Sequence, residues 1–117
     1  MEISIEMAHK HVTIRREGRA MATHIVLMKL TEQGIKDIKN APQRIDAAGK
    51  AIEAMGGKMT GFYSTMGEYD YLAIVEGLSD EAGASFLLKL GSAGNVRTTT
   101  LKAFTKQEFA EIVKKMP

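Results

Sequence analysis

The sequence predicts a single α+β domain in which helices pack on one antiparallel sheet. Four short stretches are rich in apolar, β-branched or aromatic residues, which is typical of strands, and two longer stretches repeat apolar residues at threes and fours, which is typical of helices. Glycine, proline or capping residues separate these stretches. At 117 residues, the chain has the length of one domain with a modest core.

The first strand of this domain is predicted over residues 23–30, followed by a helix over residues 31–56. Thr31 is a suitable cap for the helix, and two consecutive glycines form a strong stop. Pro42 cannot donate a backbone hydrogen bond, so it should kink the helix or start a second segment. The apolar residues of the helix are expected to share one face: Ile35, Ile38, Ile45, Ala48, Ile52 and Met55.

A β-hairpin is predicted next, with strands over residues 58–66 and 69–76. Gly67 and Glu68 would form a two-residue type II′ turn, because glycine adopts positive φ without a steric penalty. Alternation along the second strand predicts that both faces of the sheet are apolar. One face would carry Leu72 and Ile74, and the other Tyr71, Ala73 and Val75.

A second helix should begin after Ser79, which is a capping residue followed by two acids that suit the helix dipole. It is expected to end at Gly91 or Gly94, before a strand over residues 96–104, and Thr105 should cap a short last helix. The resulting order β-α-β-β-α-β is that of a ferredoxin-like fold. Right-handed crossovers would make the first strand parallel to the second and the third parallel to the fourth, and the usual strand order of this fold then places the first and third in the centre of the sheet.

Residues 1–20 are predicted to be an N-terminal extension of the single domain formed by residues 21–117. Alternating apolar residues suggest an arm or an added strand on a sheet edge, with a break near Ala8 and His9. The alternative is an upstream extension of a protein that starts naturally at Met21. His9 and His11 have a spacing that suits a metal, but without a third ligand in the pattern we predict no metal site.

Composition narrows the functional classes. The net charge of +2 and the scattered basic residues give no argument for nucleic acid, and no apolar run approaches the ~20 residues that span a bilayer. The chain has no cysteine, and its early acidic residues are unlike a signal peptide. We therefore expect a cytoplasmic protein that has no cofactor and no membrane or nucleic-acid partner.

Assembly is predicted from the two apolar faces of the sheet. The two helices that connect the strands can cover only one face, and monomers rarely expose apolar patches above a few hundred Å². A second copy, packed sheet against sheet, is the simplest cover, so we expect at least a dimer. Alternation alone does not decide which face meets the partner.

A ligand site is predicted where four strand ends meet at one end of the sheet. The candidate ligand-binding residues there are Tyr63, Tyr69, Asp70, Asn95 and Arg97. Asp70 and Asn95 would orient polar groups, Arg97 would hold a carboxylate, and the tyrosines would supply flat walls. The alternative is structural: Asp70 would accept turn amides or pair with Lys29 or Arg97.

Three segments carry a resemblance to the GYD-domain family over residues 23–117. They are Thr31–Lys36, Gly67–Asp70, and Gly91–Thr100 with Ala103–Thr105. The resemblance implies a small stand-alone protein, from a family largely without assigned function, with a ferredoxin-like fold in a dimeric α/β-barrel. It supplies no catalytic residues. Residues 67–72 and 96–99 are also similar, more weakly, to the effector-binding domain of leucine-responsive regulators, without their DNA-binding helices.

Two functional classes follow from these observations. The first is an oligomeric binding or regulatory module that holds a small molecule at the dimer interface or at the end of the sheet. The second is a cofactor-free enzyme, isomerase-like or monooxygenase-like, that acts on a small organic substrate. A deep apolar pocket with a strongly perturbed titratable group would favour the enzyme, and a shallow cleft beside residues 91–95 would favour the binding module.

Overall fold

The structure is a computed structural model that describes residues 3–7, 10–14 and 22–117. Its strands are β1 (Ile3–Met7), β2 (Lys10–Ile14), β3 (Thr23–Leu30), β4 (Lys58–Ser64), β5 (Tyr71–Glu76) and β6 (Val96–Ala103). Its helices are α1 (Glu32–Lys36), α2 (Ala41–Ala54), α3 (Asp80–Ser92) and α4 (Lys106–Lys114), with a 3₁₀ turn at Ile38–Asn40. The predicted α+β class is confirmed.

The main sheet has four strands in the order β4-β5-β3-β6, and every neighbouring pair is antiparallel. Val26 in β3 lies opposite Ala73 in β5 and Thr100 in β6, so β3 and β5 form the centre. The first connection, through α1 and α2, joins β3 to β4, and α3 joins β5 to β6.

The strands β1 and β2 pair with each other in a separate two-stranded sheet, with Ile3 opposite Ile14 and Met7 opposite Lys10. Within one copy, the described residues of this segment do not pair with an edge of the main sheet, and pairing with an edge of a partner subunit stays a prediction. The break predicted near Ala8 and His9 falls on residues outside the described part of the chain.

The helices cover the face of the sheet that carries Tyr71, Ala73 and Val75, which are all buried. Leu72 and Ile74 point to the opposite face and are half-buried. The core therefore lies between the sheet and the helices α2 and α3. The other face, which carries Leu72 and Ile74, is called the open face. The most deeply buried core residues are Ile52 of α2 and Leu78, which precedes α3.

The helix predicted over residues 31–56 is divided into α1, the 3₁₀ turn and α2. Pro42 lies in the first turn of α2, as its missing amide hydrogen requires. Asp37 has non-helical torsion angles (φ −108°, ψ 34°), so the apolar stripe does not continue across it. The prediction that Ile35 and Ile38 share the buried face is wrong, because they are 57% and 45% exposed.

The predicted two-residue turn at Gly67 and Glu68 is also wrong. β4 ends at Ser64 and β5 begins at Tyr71, so six residues connect them. The Thr65 amide donates to the Asp70 carbonyl at 2.8 Å, and the Asp70 amide donates to the Met28 carbonyl in β3 at 2.8 Å. The backbone of Asp70 is thus hydrogen-bonded both to Thr65 and to β3. The connection is longer than a two-residue turn, although Gly67 has the predicted positive φ of 108°.

The last helix, α4, begins with a capping box between Thr105 and Glu108, which confirms the predicted cap. Its apolar side is largely exposed: Phe109 is 61% and Ile112 is 44% exposed. None of the helices in the described residues is long and apolar enough to cross a membrane.

Candidate ligand-binding cavity

A cavity of about 330 Å³ lies between the helix-covered face of the sheet and the helices α2 and α3. The strands line it with Val26, Met28, Leu30, Met59, Phe62, Tyr71, Ala73, Val75 and Val96. The helices and the residue that follows α3 line it with Ala41, Ile45, Ala47, Ala48, Ala51, Ile52, Phe86, Leu90 and Ala93. Its wall is therefore almost entirely apolar.

Short side chains on α2 leave this space unfilled. Ala47, Ala48 and Ala51 all border the cavity, and Ala73 of β5 lies on its sheet side. Protein interiors are normally close-packed, with few voids larger than a water molecule. The short alanine side chains at these positions therefore account for the apolar space between the sheet and α2.

Besides Tyr71, three polar residues border the cavity: Arg44 of α2, Lys89 of α3 and Asn95 in the loop before β6. Asp37 holds the Arg44 guanidinium, with Nη1 2.9 Å from its carboxylate Oδ2 and 3.0 Å from its carbonyl oxygen. Nη2 donates a longer bond of 3.4 Å to the Gly34 carbonyl. These bonds fix the guanidinium between α1 and the cavity.

Asn95 lies at the same end of the cavity as Arg44. Its carbonyl accepts from the Thr31 amide at 3.0 Å, and its side-chain Oδ1 accepts from Gln33 Nε2 at 3.1 Å. Gly34, which Arg44 reaches, lies directly against the Asn95 carbonyl. Because Oδ1 faces Gln33, the amide nitrogen Nδ2 is left without a hydrogen-bond partner among the described residues.

Asp70, the central residue of the predicted site, extends the pairing of β3 with β5. Its Oδ2 accepts a hydrogen bond of 2.8 Å from the Leu30 amide, two residues beyond Met28, which forms the last register pair of β3 with that strand. This is the structural alternative, with the Leu30 amide in place of a turn amide. Lys29 pairs instead with Glu68 at 3.7 Å and lies 5.4 Å from the ring centre of Tyr69.

Two other predicted residues, Arg97 and Tyr63, lie on the open face of the sheet, away from the cavity. Arg97 is opposite Lys29 and donates long bonds of 3.4–3.5 Å to the Val96 and Gly91 carbonyls. Tyr63 is 61% exposed and opposite Leu72, on the open face. Among the described residues, no hydrogen bond joins any two of the five predicted site residues. They share one end of the sheet, but Asn95 is the member that borders the cavity.

Arg44 and Lys89 were not among the residues predicted to form a site. A usable signal exists, because Arg44 falls at helical spacing with Ala41, Ala48 and Ala51 and so interrupts an apolar stripe. Lys89 interrupts the apolar stripe of α3 in the same manner, three residues after Phe86. A cation within the core-facing side of a helix is a reason to look for an anion at the end of that stripe.

A second polar cluster lies at the start of β3, at the other end of this strand. His24 Nε2 is 3.3 Å from Asp80 Oδ1, and Lys102 Nζ is 2.9 Å from Asp80 Oδ2. The hydrogen bonds from Lys102 and then His24 lower the pKa of Asp80 below its ordinary value of 3.8. His24 Nδ1 and Thr100 Oγ1 are buried without a hydrogen-bond partner in the described part of the chain.

Metal ligation has no support in residues 22–117, where no group of three histidine or acidic side chains is close enough to hold an ion. The side chains of His9 and His11 lie outside the described residues, so the prediction made for that pair stays a prediction.

Comparison with known proteins points to one family. The family defined by the GYD domain matches residues 24–113. A Thermus thermophilus protein named glutamine synthetase and cystathionine β-lyase binding protein is 34% identical over 84 residues, which is 71% of this chain and 88% of that protein. No solved structure matches the chain.

Proposed function

The chain belongs to the GYD-domain family, and we propose that it is an oligomeric regulatory module that binds a small molecule in the cavity between the sheet and α2 and α3. The observation that carries this proposal is the cavity itself. Its volume of about 330 Å³ is within the range of roughly 300–1,000 Å³ in which proteins bind small ligands. Its apolar wall with a few polar groups at one end is the usual composition of such sites.

The cofactor-free enzyme, the alternative from the sequence, requires a group that transfers a proton to or from the substrate. In the described part of the chain, the titratable side chains that border the cavity are Arg44, Tyr71 and Lys89. Two of these three are cations that border an otherwise apolar space. That arrangement suits the binding of a small molecule, so we place binding before catalysis.

Filling the cavity tests the proposal. Ala48 borders the cavity and is half-buried, so Ala48→Phe places an aromatic ring in the space. Ala54→Phe is the matched control, because Ala54 is an exposed residue of the same helix and does not border the cavity. We expect 1-octanol to shift the NMR signals of the cavity wall in the parent and in Ala54→Phe, and to have little effect on Ala48→Phe.

Equal octanol binding by both variants, or shifts confined to other parts of the protein, would place the site elsewhere. Native mass spectrometry of the purified protein is an independent measurement, because a retained small molecule adds its mass to the 12.8 kDa chain.

The open face supports the oligomeric part of the proposal. Ile25 lies between Ile74 and Leu101, and Leu27 lies next to Leu72, so these apolar residues form adjacent rows across the sheet. Leu101 is 49% exposed. The strand order, with β3 and β5 central, supports a ferredoxin-like sheet that pairs face to face with a second copy as a dimeric α/β-barrel.

A charge on the open face tests this assembly. Leu101→Asp should fold, because the side chain is half exposed in one copy, but it should weaken the dimer. Leu88→Asp is the control, since Leu88 is 76% exposed on α3 and lies off the open face. Light scattering should give a dimer for the parent and Leu88→Asp and a smaller species for Leu101→Asp. A parent protein that scatters as a 12.8 kDa monomer would refute the assembly.

The regulatory part of the proposal comes from the Thermus relative, whose name describes binding to two enzymes. We propose that this chain likewise binds an enzyme. Biolayer interferometry against purified glutamine synthetase and cystathionine β-lyase from the source organism measures this directly, with and without a cavity ligand. If neither enzyme binds under either condition, these partners do not extend to this chain.

A further inference from the structure

We propose that the cavity ligand is a small organic monocarboxylate with an apolar body, whose carboxylate lies between Arg44 and Lys89. This inference rests on the proposed function, since it requires that the cavity binds a ligand. It adds the chemical class of that ligand and the residues that select it.

The apolar body follows from the cavity wall. Over most of its extent the wall offers methyl, methylene and aromatic groups, including the Phe62 and Tyr71 rings, whose centres are 5.1 Å apart. Burying a charged or strongly polar group there without partners would cost several kcal/mol. The charged part of a ligand must therefore lie where the polar residues are, at the end that carries Arg44 and Asn95.

Arg44 is prepared to bind an anion. Its guanidinium has five N–H donors, and the bonds to Asp37 and Gly34 use three of them. Two donors stay available, and the bonds to Asp37 hold the group in place before a ligand arrives. The side chain of Arg44 is only 26% exposed, so a carboxylate beside it would be partly shielded from water.

Lys89, an exposed residue of α3 that borders the cavity, adds a second cation to its wall. Asp37 offsets the charge of Arg44 at 2.9 Å, whereas Lys89 forms no ion pair with any residue of the described chain. Arg44, Asp37 and Lys89 together carry a net charge of one positive unit, which a monocarboxylate would neutralise. The free amide Nδ2 of Asn95 supplies one more donor at the same end.

Three eight-carbon probes test the charge requirement: octanoate, 1-octanol and octylamine. They share the apolar chain and differ in the head group, so calorimetry or NMR titration isolates the contribution of the carboxylate. We expect octanoate to bind most tightly, octanol more weakly and octylamine most weakly. Added sodium chloride should weaken the binding of octanoate and leave that of octanol unchanged.

Substitution of Lys89 tests the residue assignment. Lys89→Gln should weaken octanoate binding about fivefold, the loss expected for one partly exposed ion pair, and should leave octanol binding unchanged. Lys50→Gln is the matched control, because Lys50 is an exposed lysine of α2 that does not border the cavity. It should change neither affinity. Arg44→Lys retains the charge but loses the fork, so it should weaken octanoate binding less than Arg44→Gln does.

The outcomes separate this inference from the proposed function. If octanol binds as tightly as octanoate and Lys89→Gln changes neither, the cavity binds ligands but the carboxylate assignment is overturned. If octylamine binds best, the assigned charge has the wrong sign. The remaining outcome is that none of the three probes binds and that Ala48→Phe does not change the mass of any small molecule retained by the purified protein. In that case the proposed function fails, and the inference fails with it.

Discussion

Gly34 is expected to be a position where adding one methyl group destabilises the fold, although alanine is the better helix former. Gly34 is buried in α1 and lies directly against the carbonyl of Asn95. A Cβ at this position would collide with that carbonyl and would lie 3.0 Å from Leu30 Cδ2. The carbonyl cannot withdraw freely, because it accepts the Thr31 amide at 3.0 Å.

The opposing contributions can be estimated. Replacing glycine by alanine within a helix stabilises it by about 1 kcal/mol. Overpacking costs about 1–3 kcal/mol, and losing the hydrogen bond to the displaced carbonyl costs about 1 kcal/mol more. The collision therefore outweighs helix propensity, and Gly34→Ala should lower the free energy of unfolding by roughly 1–3 kcal/mol.

Gly91→Ala is the matched control, since a Cβ at this position of α3 meets no atom within 4 Å. It should raise the free energy of unfolding by up to about 0.5–1 kcal/mol. Urea unfolding followed by circular dichroism measures both variants against the parent. We therefore predict that the same substitution, glycine to alanine, changes the free energy of unfolding in opposite directions at these two positions. If Gly34→Ala is neutral or stabilising, the close approach of α1 to the Asn95 loop is wrong, and with it the placement of Asn95 at the cavity.

Three further predictions follow from single contacts. Asp70→Ala removes the acceptor of the Leu30 amide and should lower the free energy of unfolding by about 1–3 kcal/mol, whereas Asp70→Asn keeps an acceptor and should cost less; urea unfolding distinguishes them. The pKa of Asp80 is lowered in the folded state, so its ion pairs contribute stability above pH 3.8. This contribution is lost as the pH falls through the lower, folded-state pKa, and the parent and Asp80→Asn should therefore have the same stability in strong acid. Deleting residues 1–20 should leave a cooperative thermal transition, since β1 and β2 form their own sheet; a broad, non-cooperative transition would contradict this.

The local chemistry of the helix starts could be predicted from sequence. Thr31, Ser79 and Thr105 were expected to be caps, and each accepts a hydrogen bond from the backbone amide three residues later. Capping depends on residues within one turn, so the pattern carries the necessary information. The alternation along β5 predicted its two apolar faces for the same reason.

The errors come from interactions that span the chain. Periodicity placed Ile35 on the buried face because it cannot show that the helix breaks at Asp37. The two-residue turn was wrong because Asp70 is bonded to Met28 and Leu30, about 40 residues earlier. The cavity was not predicted, since an unfilled space depends on how far α2 stands from the sheet, and no single segment encodes that distance.

The two faces of β5 allow ligand binding and assembly to be studied separately. Tyr71, Ala73 and Val75 border the cavity, whereas Leu72 and Ile74 face the open side. Successive side chains of a strand point to opposite faces, so a substitution at an odd position changes the cavity wall and one at an even position changes the proposed dimer contact. Both surfaces share the same backbone, so any displacement of β5 by a ligand moves the open face as well. If a small molecule binds in the cavity, β5 therefore connects that site directly to the open face, through which the protein would meet a second copy.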